Sequence, residues 1–303
     1  MLFICKPTGL SFDGRHWEVG DLADLGRAAQ EEAEEKDPRG FKRPNPDGDN
    51  LIVSLLKLAD KGVSDPGPYK GFTVGQKVDW EQVTVQDIYA AALAVRIKTK
   101  RIMEIRPQCG GCGKLPPEPL GIPLDEIKVY EASEEGLEVI QSGNSAIKMY
   151  GQYGEHISEG GEEPPYVTVA LKPIRGKDMK TLDRLQEQDR FNVLEWQIVC
   201  GIEWIQLHGK EAVSGNTPIM SIFKHFSWDL RDAVDADQEE LFGGPDAIVD
   251  WVCERCKTEQ EEYLPLDRRF FGIDQDTRLR RKSRRSRSGS PRQRMSTPDS
   301  SSA

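Results

Sequence analysis

Two cysteine knuckles, Cys109-Gly110-Gly111-Cys112-Gly113-Lys114 and Cys253-Glu254-Arg255-Cys256-Lys257, constrain this chain more than any other feature. Each is entered from a short apolar segment, and together they supply the four thiolates of a closed tetrahedral site. The 140 residues between Cys112 and Cys253 far exceed the ~15–20 residues of a compact two-knuckle finger. A shared ion must therefore be reached through the tertiary fold, and would tie distant parts of the chain together. Two unmetallated turns and a redox dithiol use the same spacing. Neither pair lies between a strand and a following helix in a thioredoxin-like unit, so metal is the preferred expectation, with Cys109, Cys112, Cys253 and Cys256 as ligands. Zinc is the ion expected, although iron accepts the same four thiolates.

The remaining cysteines, Cys5 and Cys200, stand alone. Cys200 ends the apolar run Trp196-Gln197-Ile198-Val199-Cys200, where a buried, inert thiol is expected. The 303 residues contain no apolar run of membrane-spanning length, and the start lacks the basic and apolar regions of a signal peptide. The expectation is a soluble protein in a reducing cytoplasm, with no membrane partner and no disulfide framework. Charge is unevenly spread. Residues 278–303 carry nine Arg/Lys and one Asp, while residues 1–277 carry 32 basic and 50 acidic side chains. Such a body repels nucleic acid, and only the tail attracts it.

Hydrophobic patterning points to an α+β fold, a helical core with short antiparallel β segments and a zinc-ribbon-like four-cysteine site. Residues 1–50 read as a β element followed by an acidic segment, Glu31-Glu32-Ala33-Glu34-Glu35, taken as a solvated helix face rather than a cation site. Residues 51–150 hold a helix over Leu51 to Ala59 closing at Gly62, and a core helix opened by Thr84 and Asp87 in a capping-box-like pattern. Arg101 to Arg106 then reads as a strand into the first knuckle, and Pro116, Pro117, Pro119 and Pro123 favour an extended return. Residues 151–277 hold an alternating strand from Tyr166 to Leu171, then one long helix or two abutting helices from Asp178 to His208. Helices opened by Thr217-Pro218 and by Ser227 follow. Asp229, Asp232, Asp235 and Asp237 make that pair a poor DNA reader. A strand from Ala247 to Val252 enters the second knuckle, and Glu262 to Leu266 pairs back. In residues 278–303 the stretch 280–290 has no apolar residue to offset chain entropy, so a disordered basic Ser/Arg tail is expected.

The phosphate-loop, H-E-x-x-H and G-x-S-x-G patterns are missing from the sequence, and His16, His156, His208 and His225 are scattered. His208, before Gly209, reads as a residue compensating a helix dipole. No enzyme activity is expected. Trp17, Trp80, Trp228, Phe270 and Phe271 are candidate interface anchors, about half of them expected to be plain core.

The segment Thr84 to Ile97, followed by C-x-x-C-G, resembles a block that contractile-tailed phage baseplate proteins place before a cysteine knuckle. Gly244-Pro245-Asp246, then Cys253-x-x-Cys256, then Leu264-Pro265-Leu266-Asp267 and Phe270-Phe271 resemble the C-terminal signature of the T-even-type baseplate hub and tail-assembly family. The resemblance spans roughly residues 50–273 and supports the four knuckle cysteines and nothing catalytic. It implies a structural component of the baseplate hub, made in the host cytoplasm and located in the virion, whose partners are other tail subunits. A tail-assembly chaperone absent from the mature virion and a zinc-ribbon nucleic-acid-binding regulator are the alternatives. The acidic N-terminal residues and the basic tail have no counterpart in that pattern.

Overall fold

The computed structural model describes residues 1–18, 21, 51–158, 165–189, 192–246 and 248–264. The acidic run at 31–35, Phe270, Phe271 and the tail 278–303 lie outside them. The N-terminal part runs β1 (Leu2–Ile4), β2 (Ser11–Gly14), α1 (Leu51–Ala59), β3 (Asp60–Asp65) and α2 (Val85–Thr99). The middle holds β4 (Ile102–Ile105), β5 (Leu120–Pro123), a 3₁₀ turn (Leu124–Glu126), β6 (Val129–Tyr130), α3 (Glu134–Ser142) and β7 (Ala146–Tyr150). Next come β8 (Val167–Leu171), α4 (Gly176–Gln188), α5 (Val193–Cys200), β9 (Ile202–Leu207) and β10 (Val213–Ser214). The last elements are α6 (Asn216–Phe223), α7 (Trp228–Phe242), β11 (Gly244–Pro245), β12 (Ile248–Val252) and β13 (Glu259–Tyr263). The fold is mixed α+β, and every pairing among these strands is antiparallel.

Two sheets carry the body, one in the order β1-β2-β3 and one in the order β10-β9-β8-β7. Helix α2 packs against the first sheet through β1 and is buried at Val85, Asp87, Ile88, Ala90, Ala91, Ala92, Leu93, Val95 and Arg96. Its three consecutive alanines let neighbours come close on adjacent faces, and α1, α4, β1, β11 and the 3₁₀ turn all pack on it. One continuous core extends from Phe3 and Phe12 through Trp80 and Ile88 to Phe223 and Leu264. Trp17 and Trp80, read as possible interface anchors, are core residues at 2% and 0% exposure, whereas Trp228 is 73% exposed.

Several elements follow from local chemistry. Thr84 caps α2 by accepting from the Asp87 amide, and Ser227 caps α7 by accepting from that of Leu230. The capping box at α2 is only half made. The Thr84 amide donates to the Tyr69 hydroxyl instead, because the Asp87 carboxylate is held by the Thr8 and Tyr69 hydroxyls. Helix α1 ends at Ala59, three residues before Gly62, as the chain enters β3 directly. There the buried Asp60 carboxylate accepts from the Gly62 and Val78 amides at 2.8 and 2.7 Å.

The expected helical stretch from Asp178 to His208 is corrected in its last part. Residues 202–207 form β9, a strand paired with both β8 and β10. Ile202 and Ile205 fill the core, and the ladder bonds offered by β8 outweigh helix propensity in that short apolar run. His208 consequently follows a strand, its amide donating to the Tyr166 carbonyl, and compensates no helix dipole. Among the elements left unassigned from the sequence, α3 and β7 form a helix and an edge strand. Ser133 caps α3 and Gly143 ends it in the left-handed region, both signals present in the sequence.

Asp87 is the largest electrostatic liability of the core. Burial pushes its carboxyl up to about 7 against the opposing hydrogen bonds from Thr8 and Tyr69, and its Oδ1 has no partner among the described residues. The folded state therefore binds a proton that the unfolded chain, titrating near 3.9, releases. Its contribution is fully present below about pH 4 and is lost as pH rises through about 7, a change on the order of 4 kcal/mol. Asp87→Asn should flatten this fall of stability between pH 4 and 8, as read from denaturant midpoints. An unchanged slope in the variant would mean that other groups cause it.

Candidate metal centre

Each knuckle sits at the end of an antiparallel hairpin. β4 and β5 pair from Ile102 opposite Pro123 to Ile105 opposite Leu120, and the first knuckle lies in the connection between them. β12 and β13 pair from Ile248 opposite Tyr263 to Val252 opposite Glu259, with the second knuckle as their loop. The two loops have the same backbone closure. In the first, the Gly113 amide donates to the Cys109 carbonyl at 2.8 Å and the Cys109 amide to the Lys114 carbonyl at 3.1 Å. In the second, Lys257 donates to Cys253 at 2.8 Å and Cys253 to Thr258 at 3.0 Å. That turn needs a left-handed residue just after the second cysteine. Gly113 supplies it at φ +66°, and Lys257 at +59° is the one non-glycine residue with positive φ among the described residues.

The fold brings the two loops face to face. The Gly110 amide donates to Gln260 Oε1 at 2.8 Å, and a Cβ on Gly111 would lie 2.9 Å from Thr258 Oγ1, so the glycine pair permits the approach. Cys109 Sγ lies 3.5 Å from Cys256 Sγ, and Cys112 Sγ lies 3.9 Å from Cys253 Sγ. All four sulfurs fall within 4.8 Å of one another. Disulfide sulfurs are about 2.05 Å apart, and these cysteines are free thiols. A tetrahedral ion with metal–sulfur bonds of about 2.3 Å separates its ligand sulfurs by about 3.8 Å. The two close pairs straddle that value, so the donor set and its spacing fit a four-thiolate ion.

Burial and charge grade the four ligands. Cys109 and Cys253 are buried with Trp251, Cys112 and Leu120 packed around them, while Cys256 is exposed. This is a small core of its own, separate from the main one. The Thr258 hydroxyl and amide lower the Cys256 thiol to about 6, and the amides of Cys256 and Arg255 lower that of Cys253. At Cys109 the Cys112 amide favours the thiolate, but burial and the thiols of Cys256 and Cys253 outweigh it and push the group up to about 11. Without metal the cluster thus holds protons, which an incoming cation displaces.

Cys5 and Cys200 lie apart from this cluster, as the sequence indicates. Both are buried, with thiols pushed up by desolvation, to about 11 for Cys200. A histidine contact between residues far apart in sequence appears only in the structure. His156 Nε2 lies 3.3 Å from Asp237 Oδ1, and Asp237 accepts from the buried Tyr150 hydroxyl at 2.5 Å. The Asp237 carboxylate thereby joins α7 to β7, and its 81-residue separation from His156 left no local signal. No described helix is long and apolar enough to cross a membrane. No family model, curated protein or solved structure matches the chain.

One metal equivalent per chain is expected, and Cys109→Ser and Cys253→Ser should each abolish tight binding, as read by elemental analysis after gel filtration. Two equivalents, or full retention in either variant, would rule out a shared ion. Lys257→Gly should relieve about 0.5–1 kcal/mol of left-handed strain and tighten metal binding about three-fold in chelator competition, whereas Lys257→Val should weaken it. Weaker binding by the glycine variant would overturn that account of the turn.

Proposed function

We propose that this protein is a structural component of a contractile phage tail baseplate, in its hub region, acting through protein–protein contacts and stabilised by a zinc-ribbon-like site. Cys109, Cys112, Cys253 and Cys256 hold the ion in this reading. Zinc supplies cross-linking energy without redox chemistry, which suits a structural part.

The observation that carries the proposal is the packing of the segments on which the family resemblance rests. Helix α2, from the Thr84 to Ile97 block, contacts β11, from the Gly244-Pro245-Asp246 block. A Cβ on Gly244 would meet Gln86 Cγ at 3.1 Å, so this glycine sits directly on the helix. The two knuckles meet at the metal centre, and Leu264, which opens the last matched segment, is fully buried in the main core. Trp228 further supports an interaction role, being exposed with the Arg231 guanidinium 5.1 Å over its ring. Trp and Arg are both enriched among the residues that dominate protein interfaces.

Quantitative proteomics of purified particles and of tail-assembly intermediates tests the proposal. The chain should be present in finished tails at a fixed ratio to other baseplate subunits, and Trp228→Ala should reduce its incorporation about ten-fold or more. Presence in intermediates with absence from finished tails would instead identify an assembly chaperone. Absence from both, with salt-sensitive DNA binding by the purified chain, would favour a regulator.

A further inference from the structure

The β12–β13 ribbon carries an electrostatic conflict that its fold does not resolve. Strand alternation and register place Ile248, Asp250 and Val252 on one face with Glu259 and Glu261. Asp250 stands directly opposite Glu261, and Glu259 opposite Val252. Like charges directly opposite on paired strands are destabilising, and all three carboxylates are exposed. No salt bridge among the described residues engages any of them. The apolar members of this face, Ile248 and Val252, are 54% and 52% exposed.

These residues border a groove of about 670 Å³ lined by Asp250, Trp251, Val252, Glu259, Gln260 and Glu261. Among the described residues the ribbon is two-stranded, and its outer strand edges are open apart from the Ile248 amide, which donates to Asp246 Oδ1, and the Glu259 carbonyl, which accepts from Gln260. The groove therefore asks for an extended occupant that brings several positive charges together with carbonyl or hydroxyl acceptors.

The chain itself contains that occupant. Residues 278–294, outside the described residues, hold nine Arg/Lys interspersed with Ser283, Ser286, Ser288 and Ser290. They begin 14 residues after Leu264, which directly follows β13. Fourteen extended residues reach at most about 50 Å, while a five-residue strand spans about 17 Å. Tethering at this distance gives the tail a local concentration of order millimolar at the ribbon. We propose that residues 278–294 lie along the β12–β13 ribbon of their own chain, with Arg and Lys side chains on Asp250, Glu259 and Glu261. The contact neutralises the opposed carboxylates and covers strand edges that would otherwise be open to other chains.

Zero-length carbodiimide cross-linking of the full chain tests this, because Lys282 is the one lysine of the tail. Peptide mapping should join Lys282 to Asp250, Glu259 or Glu261 within a single chain, and the yield should fall about ten-fold in 1 M salt, where the Debye length is about 3 Å. Links only to other acids, only between two chains, or no link at all would overturn the proposal. As a second readout, Arg280→Gln, Arg281→Gln, Arg284→Gln and Arg285→Gln together should speed amide exchange in residues 248–252 and 259–263 about three-fold or more. Metal content should stay unchanged. Exchange unaltered by these four substitutions would equally overturn the contact.

Discussion

Helix α2 is the element on which the rest of this molecule depends. It is buried over much of its surface, and α1, α4, β1 and β11 all pack on it. In the same helix, Asp87 reaches the Thr8 and Tyr69 hydroxyls and so ties the N-terminal turn and the loop after β3 to one point. Burying this carboxylate carries an electrostatic penalty that only partner hydroxyls reduce. The arrangement fixes register at the expense of stability near neutral pH. A hydrophobic residue at the same position would pack well but would leave the Thr8 and Tyr69 hydroxyls without their acceptor.

The cysteine cluster depends on this frame but does not belong to its core. Trp251, Leu120 and the ligands form a separate cluster at the meeting of two hairpins. Few apolar groups hold that cluster together, and a small core of this kind gains most from a metal cross-link. Both hairpins are nonetheless anchored in the main core, through Met103 of β4 and through Leu264 just after β13.

Much of this was legible from local chemistry. The knuckles, the Thr84 and Ser227 caps, the strand into each knuckle and the extended return after Pro119 all appear where residue type and spacing place them. The knuckles and caps rest on interactions within a few residues, and the first hairpin pairs segments 15 to 21 residues apart. The misread segment is equally instructive. Residues 202–207 carry apolar positions compatible with either period, and pairing with β8, whose sequence lies 35 residues earlier, decides for strand. α3 was signalled by Ser133 and Gly143, but its short, acid-rich stretch offers little apolar periodicity.

The sequence by itself determined the donor set: four thiolates in two C-x-x-C turns, a basic tail on an acidic body, and no familiar catalytic pattern. Whether those two turns share a site was a matter for the tertiary structure alone, because no local interaction links residues 140 apart. The same holds for the burial of Asp87 and for the contact between His156 and Asp237. Capping, turn formation and alternation act over the few residues that a chain places next to one another. Proximity of distant groups is set by the packing of the whole core, in which α2 decides what may approach.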